Sequence, residues 1–270
     1  MTTTTTQSPQ LKKPLLFLRS CLFSVGMVLF TCFWSSLVLL AWPLPFEQRY
    51  RIAQRWSRSN IWWLKKTCRI DYRLQGIEHV PRDTPAIILA KHQSTWETLF
   101  LQQLLPPQAW VVKRELLKIP FFGWALAQLE PIAIERSDGG TALRQILRQG
   151  KKSLNAGRWV VLFPEGTRTA PGQHGRYGPS GAKLAAYSGY PIVPIAHNAG
   201  EFWPRRGFIK QPGTIQVVIG PAITVEKRRA HELNSLTESW IEDTMRRITT
   251  GAKVMPRDDA GPPPICRPDL

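Results

Sequence analysis

Between Ser20 and Phe46 the chain carries no charged residue, and "CLFSVGMVLFTCFWSSLVLLAW" fills most of that interval. At about 1.5 Å of rise per residue, such a run is long enough to cross the hydrocarbon of a bilayer. Membrane association is therefore the leading expectation. A signal peptide would have a shorter apolar run closed by a small-residue cleavage site, whereas this one ends in "AWPLPF". Lys12, Lys13 and Arg19 flank one end, and Arg49, Arg51, Arg55, Arg58, Lys65 and Lys66 flank the other. The larger excess places the C-terminal side in the cytoplasm. A hairpin or an in-plane helix would keep both ends there, and Pro43 with Pro45 permits a bend.

The stretch that follows, "RYRIAQRWSRSNIWWLKK", resolves on a helical wheel into a stripe of Ile52, Trp56 and Trp63 beside one of Arg51, Arg55, Arg58 and Lys65. Indole rings next to long cations suit a lipid headgroup layer. A surface helix that simply covers the domain has the same pattern. Over the whole chain, 36 basic residues against 19 acidic ones give a net charge of +17, so the partner is expected to be polyanionic: nucleic acid, anionic lipid or phosphorylated substrate. Nucleic acid is disfavoured, because the charge clusters beside the apolar run and the chain shows no ribonucleoprotein, zinc-finger or helix-turn-helix pattern. Cys21, Cys32, Cys68 and Cys266 lie far apart and suggest neither disulfides nor zinc.

Low-complexity ends predict disorder over residues 1–19 and 251–270. Between them lie the membrane segment (20–46), the basic amphipathic helix (47–68) and a domain over 69–250. In that domain, "AIILA", "AWVV", "PIAI", "WVVLF", "PIVPIA" and "TIQVVI" read as strands, several apolar on both faces. "TWETLFLQQLL", "PFFGWALAQL", "TALRQILRQGKKSLNAG" and "GAKLAAYSG" read as helices between them, and a last amphipathic helix carries Leu233, Leu236, Trp240 and Met245 on one side. The expected class is α/β, with a mixed, largely parallel sheet flanked by helices.

Chemistry is expected at strand ends. In "KHQSTWET", His92 follows a strand and Glu97 comes five residues later. In one continuous helix those side chains would diverge by about 140°. They can meet only if His92 lies in the loop and Glu97 in the first helical turn. Ser94 as N-cap with Glu97 three residues on is a capping box, and that plainer role alone accounts for both residues. It leaves His92 unexplained. One carboxylate can serve the Ser94 amide and the imidazole together, fixing the tautomer and making the other ring nitrogen a base.

In "VVLFPEGTRT" a sharp turn at Pro164 and Gly166 presents Glu165, Thr167 and Arg168, a set suited to a polyol phosphate. A Glu165–Arg168 ion pair that merely braces the turn is the alternative. Lys113 and Arg136 also follow strands, so with Arg168 they suggest one basic, phosphate-binding edge of the sheet.

"KHQSTWET", "PIAIER", "FPEGTR" and "YPIVPIAHN", in that order, resemble the glycerolipid acyltransferases typified by bacterial 1-acyl-sn-glycerol-3-phosphate acyltransferase, over roughly residues 69–221. Glutamate at 97 stands where that family has aspartate. Glu130 and Ala133 depart from its second block, of which Ile134 and Arg136 match. Glu165, Gly166, Thr167 and Arg168 all match its third block. The resemblance implies His92 as general base, Glu97 as its orienter, and acceptor binding by Arg136 and the third block, with Arg168 on phosphate. It also implies lysophosphatidic acid as acceptor, acyl-CoA or acyl carrier protein as donor, and no metal or redox cofactor. The implied location is the cytoplasmic face of a bacterial inner membrane. Another lyso-acceptor, such as a lyso-ornithine lipid or glycerol 3-phosphate, and a non-catalytic module that binds anionic lipid are the competing readings.

Overall fold

The computed structural model describes residues 13–135 and 139–249. The apolar run forms helix α1 (Lys13–Leu40). It begins ahead of the uncharged stretch, so residues 13–19, expected to be disordered, are helical. Pro14 explains the early start, because in a first helical turn its fixed φ is preorganised and its missing N–H has no partner to lose. Residues 1–12 and 250–270 lie outside the described residues, and with them the rest of the expected disorder.

A tight turn leads through Pro45 into α2 (Phe46–Cys68), which runs back antiparallel along α1. The indole N–H of Trp63 donates to the Leu22 carbonyl at 3.2 Å and that of Trp56 to Thr31 Oγ1 at 3.0 Å. Trp34 of α1 donates in return to Ser59 Oγ at 3.2 Å. The tryptophan stripe expected in the headgroup layer thus lines the seam between two helices, where each ring buries large apolar area and satisfies its single donor. Gly26 makes this possible, since a Cβ there would lie 2.0 Å from Trp63 Nε1.

The hairpin is laid on the α/β domain at both ends. Phe23 is fully buried, edge-on to Trp203 with ring centres 5.1 Å apart, and the Lys210 amide donates to Ser20 Oγ at 2.9 Å. Near the other end Val38 packs with Ala53 and Ala125. The opposite face of α1 leaves Leu18, Leu22, Val25, Leu29, Phe33 and Leu40 exposed, one stripe at helical spacing.

The remaining chain builds a seven-stranded sheet in the order β1-β7-β6-β2-β5-β3-β4. The strands are β1 (Ile70–Gln75), β2 (Ile87–Ala90), β3 (Gln108–Lys113), β4 (Ile132–Ile134), β5 (Trp159–Leu162), β6 (Ile192–His197) and β7 (Gly213–Ile219). All neighbouring pairs are parallel except β6 with β7. The sheet is mixed and largely parallel, as expected, and the carboxyl ends of β2, β3, β4, β5 and β6 share one edge. Strand β1, half-buried and polar at alternate positions, lacks the apolar run that marks the others.

Helices α3 (Trp96–Leu104), α5 (Gly139–Asn155), α6 (Ser180–Ser188) and α7 (Ala230–Ile248), with short α4 (Phe122–Ala127), complete the domain. Strand parity divides the core. Ile88, Ala90, Trp110, Val161 and Val193 face a cluster with Phe23, Leu64, Leu99 and Phe100 of α1–α3. Ile87, Leu89, Ala109, Val160 and Leu162 face Ala142, Ile146, Leu184 and Leu233 of α5–α7. Burying each such side chain contributes about 1.5–3 kcal/mol, and a sheet covered on both sides makes its loop edge the natural place for a site.

Candidate active site

Strand β2 delivers His92 to that edge. The Lys91 amide still donates to the Ile195 carbonyl of β6 at 2.9 Å, after which the chain turns and α3 begins at Trp96. His92 and Glu97 meet across the break, with Nδ1 2.8 Å from Oε1. The same carboxylate accepts from the Gln93 amide at 3.0 Å and from the Ser94 amide at 2.8 Å. Half of the expected capping box forms, because Glu97 reaches back to Ser94 as anticipated. The Ser94 hydroxyl accepts from the Trp96 amide at 3.2 Å rather than from Glu97, since the helix starts one residue beyond Thr95.

Two contacts aim the imidazole. Glu97 holds Nδ1 as a donor, and the ring lies flat on Phe163, centre to centre 3.9 Å and 10° from parallel. Among the described residues Nε2 has no hydrogen-bond partner, and the side chain keeps 14% exposure while Glu97 keeps 1%. The geometry leaves Nε2 on the partly exposed side of the pair and its carboxylate in the interior.

Behind this pair sits His197, buried at the end of β6. Its Nε2–H donates to the Lys91 carbonyl at 2.8 Å and its Nδ1 accepts from the Ala199 amide at 3.3 Å. Burial holds its pKa below the ordinary imidazole value, against the pull of Glu97 and the Lys91 carbonyl. Burial also pushes the Glu97 carboxyl upward, but His197, His92 and the Ser94 amide pull harder, and its pKa lies below the usual carboxylate range. A His197 that burial keeps neutral lends no charge near pH 7. There the Glu97 anion rests on the His92 ring and the backbone amides.

The turn after β5 supplies the second half of the site. In register, Leu89 pairs with Leu162, which sets His92 beside Glu165. Gly166 closes the turn with φ of +64°, its amide donating to the Phe163 carbonyl at 3.0 Å. Glu165 is not presented to solvent. Its side chain is fully buried, with Oε2 accepting from the His92 amide at 2.9 Å and Oε1 accepting from Lys91 Nζ at 2.8 Å and from Thr169 Oγ1 at 3.1 Å. The expectation that the turn presents Glu165 beside Thr167 and Arg168 is corrected: its oxygens are spent on the loop that carries His92. The simple Glu165–Arg168 brace is not formed either.

Thr167 is exposed and Arg168 half-exposed at the tip. The tip is fastened to the loop that carries His92, for the Thr169 amide donates to the His92 carbonyl at 2.8 Å. Arg205 Nη1 donates to the Arg168 carbonyl at 2.7 Å. Lys113, exposed at the end of β3, shares the edge, because β3 and β5 are parallel neighbours. Arg136 lies outside the described residues. Phe163, His197, Lys91 and Glu242 were not singled out in the sequence; only His197 carried a signal, as the last residue of a fully buried apolar strand.

Known proteins resemble the chain over most of its length. A family model described as Acyltransferase matches residues 71–198. The 1-acyl-sn-glycerol-3-phosphate acyltransferase of Pseudomonas aeruginosa is 47% identical over 86% of this chain and 92% of its own length. The chloroplastic 1-acyl-sn-glycerol-3-phosphate acyltransferase BAT2 of Brassica napus is 29% identical over 68% of this chain, which spans 55% of that longer protein. The crystal structure of the 1-acyl-sn-glycerophosphate acyltransferase of Thermotoga maritima superposes with a TM-score of 0.73, covering 88% of this chain and 99% of that one at 21% identity, a likeness of fold. By its identity to the Pseudomonas protein over nearly the whole of both chains, the chain belongs to the 1-acyl-sn-glycerol-3-phosphate acyltransferase family.

Proposed function

We propose that the chain moves a fatty acyl group from an acyl thioester to the sn-2 hydroxyl of 1-acyl-sn-glycerol 3-phosphate, making phosphatidic acid. The observation that carries this reading is the 2.8 Å contact between His92 Nδ1 and Glu97 Oε1. With Nδ1 committed as donor, Nε2 is the nitrogen that takes the hydroxyl proton as the hydroxyl oxygen bonds to the thioester carbonyl carbon. The tetrahedral oxyanion collapses, the C–S bond breaks, and the leaving thiolate receives the proton from Nε2–H. Because the thioester brings its own activated acyl carbon, the balance calls for no metal or redox cofactor. The leaving thiol belongs to coenzyme A or acyl carrier protein.

Arg168 and Lys113 supply cations for the acceptor phosphate at the carboxyl edge, with Arg168 suited to bidentate binding. The Gly166 turn presents Thr167 to the glycerol backbone.

The apolar stripe of α1 supports membrane association. Since α1 is bound along its length to α2 and at both ends to the domain, crossing the bilayer would drag Arg51 and Arg55 of α2 into hydrocarbon, which is costly. The hairpin instead lies in the interface plane, on the cytoplasmic leaflet of a bacterial inner membrane. Lysophosphatidic acid then reacts without leaving the bilayer, which would cost about 0.8 kcal/mol per methylene. Complementation of a strain lacking lysophosphatidic acid acyltransferase, with lipid analysis, tests the reading. Restored phosphatidic acid supports it, and acylation of a different lyso-lipid reassigns the acceptor.

A further inference from the structure

Lys91, immediately before His92, is 1% exposed and bridges two carboxylates from distant parts of the chain. Its Nζ donates at 2.8 Å to Glu165 Oε1 on the β5 turn and at 2.8 Å to Glu242 Oε1 on α7, and at 3.2 Å to the Gln173 carbonyl. Neither the proton transfer nor phosphate binding uses it. A lysine with so little exposure has lost its hydration, and two anions with a carbonyl replace it.

What the contacts join is more informative than their number. Residues 163–179, between β5 and α6, have no helix or strand of their own, yet they carry Thr167 and Arg168. Besides the Thr169–His92 and His92–Glu165 bonds, three ties hold this segment to α7 and Lys91. Tyr177 OH donates to Glu242 Oε1 at 2.8 Å, His174 Nε2 lies 2.9 Å from Glu238 Oε1, and Lys91 grips both Glu165 and the Gln173 carbonyl. Burial first, and then the Glu242 charge, push the Tyr177 hydroxyl well above its ordinary pKa, so it stays a donor. Lys91 is the point where the strand bearing His92, the segment bearing Arg168 and the C-terminal helix meet.

We propose that Lys91 is a positioning residue that, through Glu165 and Glu242, fixes the distance between the His92 base and the Arg168 end of the acceptor site, with α7 as the outer anchor. The consequence is specific: losing the bridge loosens the 163–179 segment and misplaces the acceptor, while the donor side is untouched. This rests on the acyl-transfer reading for its kinetic consequences but not for its structural ones.

Two readouts test it on the full-length protein in detergent micelles. Limited trypsin digestion follows cleavage after Arg168 and Arg176. Steady-state kinetics, with lysophosphatidic acid and an acyl-CoA varied separately, follow the site. In Lys91→Met, cleavage in the segment accelerates about tenfold. Its kcat falls on the order of 10- to 100-fold, as a small misplacement of reacting groups produces, and KM rises for the acceptor alone. Glu242→Leu gives the same pattern in a less buried position, should Lys91→Met fail to fold. Glu242→Gln, whose amide oxygen still accepts from Lys91 and Tyr177, recovers most of what Glu242→Leu loses. Unchanged cleavage in folded variants overturns the proposal, as does an equal rise in both KM values. If the wild-type protein does not acylate lysophosphatidic acid, the functional reading fails while the digestion still reports on the anchor.

Discussion

Oε1 of Glu97 is the common acceptor for the His92 imidazole and the Gln93 and Ser94 amides, so one oxygen both starts a helix and fixes a tautomer. The non-helical turn through Ser94 and Thr95 is what allows a side chain five residues away to turn back. Capping and orientation are two consequences of one placement.

Glu97→Gln separates them. An amide keeps one acceptor oxygen but places an NH₂ among converging donors, next to the second Ser94 contact at 3.0 Å. We expect kcat to fall about 100-fold, within the range for general acid–base groups, with acceptor KM little changed. Glu97→Asp retains the charge and keeps more activity. Equal small effects on kcat from both would leave Glu97 a capping residue only.

Arg168 gives the complementary pattern. Arg168→Ala removes the proposed bidentate phosphate ligand, a charge-assisted interaction of about 1.5–3 kcal/mol, so KM for lysophosphatidic acid is expected to rise roughly 10- to 100-fold while KM for the acyl donor stays constant. A rise confined to the donor would move the phosphate site elsewhere.

The α1–α2 hairpin makes a topological prediction. An N-terminal tag and the catalytic domain are expected on the same side of the membrane, and protease added to the cytoplasmic side of inverted vesicles removes both. Replacing exposed Val25 and Leu29 with aspartate shifts the protein to the soluble fraction, as each apolar side chain contributes about 1.5–3 kcal/mol of burial. Recovery of tag and domain on opposite sides would establish a crossing helix.

Acid stability follows from His197 and Glu97. Both have folded pKa values below their unfolded ones, 6.5 for the imidazole and 4.5 for the carboxyl, so the unfolded chain binds more protons as pH falls. The stability they contribute is present above those unfolded values and is lost on acidification, His197 first from about pH 6.5 downward and Glu97 below about 4.5. Thermal melts of the wild type and of His197→Gln, which keeps a donor for the Lys91 carbonyl, check this. The variant shows a flatter Tm between pH 6.5 and 4.5, and identical slopes contradict the assignment.

Much of this was legible in the chain itself. Strands such as "AIILA" and "WVVLF" announce burial on both faces because both parities are apolar, and "STWE" marks the break that brings His92 to Glu97. Charge without burial was the blind spot. Glu165 read as a residue presented at its turn for the acceptor, and nothing local marks Lys91 or Glu242 as buried. Their pairing joins positions 151 apart and depends on which face of α7 meets the 163–179 segment. The Trp56–Trp63 stripe was visible as a stripe, but what it faces was decided by Gly26 on another helix.

The most direct test is the rate of phosphatidic acid formation by purified His92→Ala in mixed micelles of lysophosphatidic acid with an acyl thioester, beside wild-type protein of matched fold by circular dichroism. The account predicts efficient acylation at sn-2 by the wild type and a loss of about 10²- to 10⁴-fold in kcat for the variant, the range for a general base. A His92→Ala protein with undiminished kcat would contradict it.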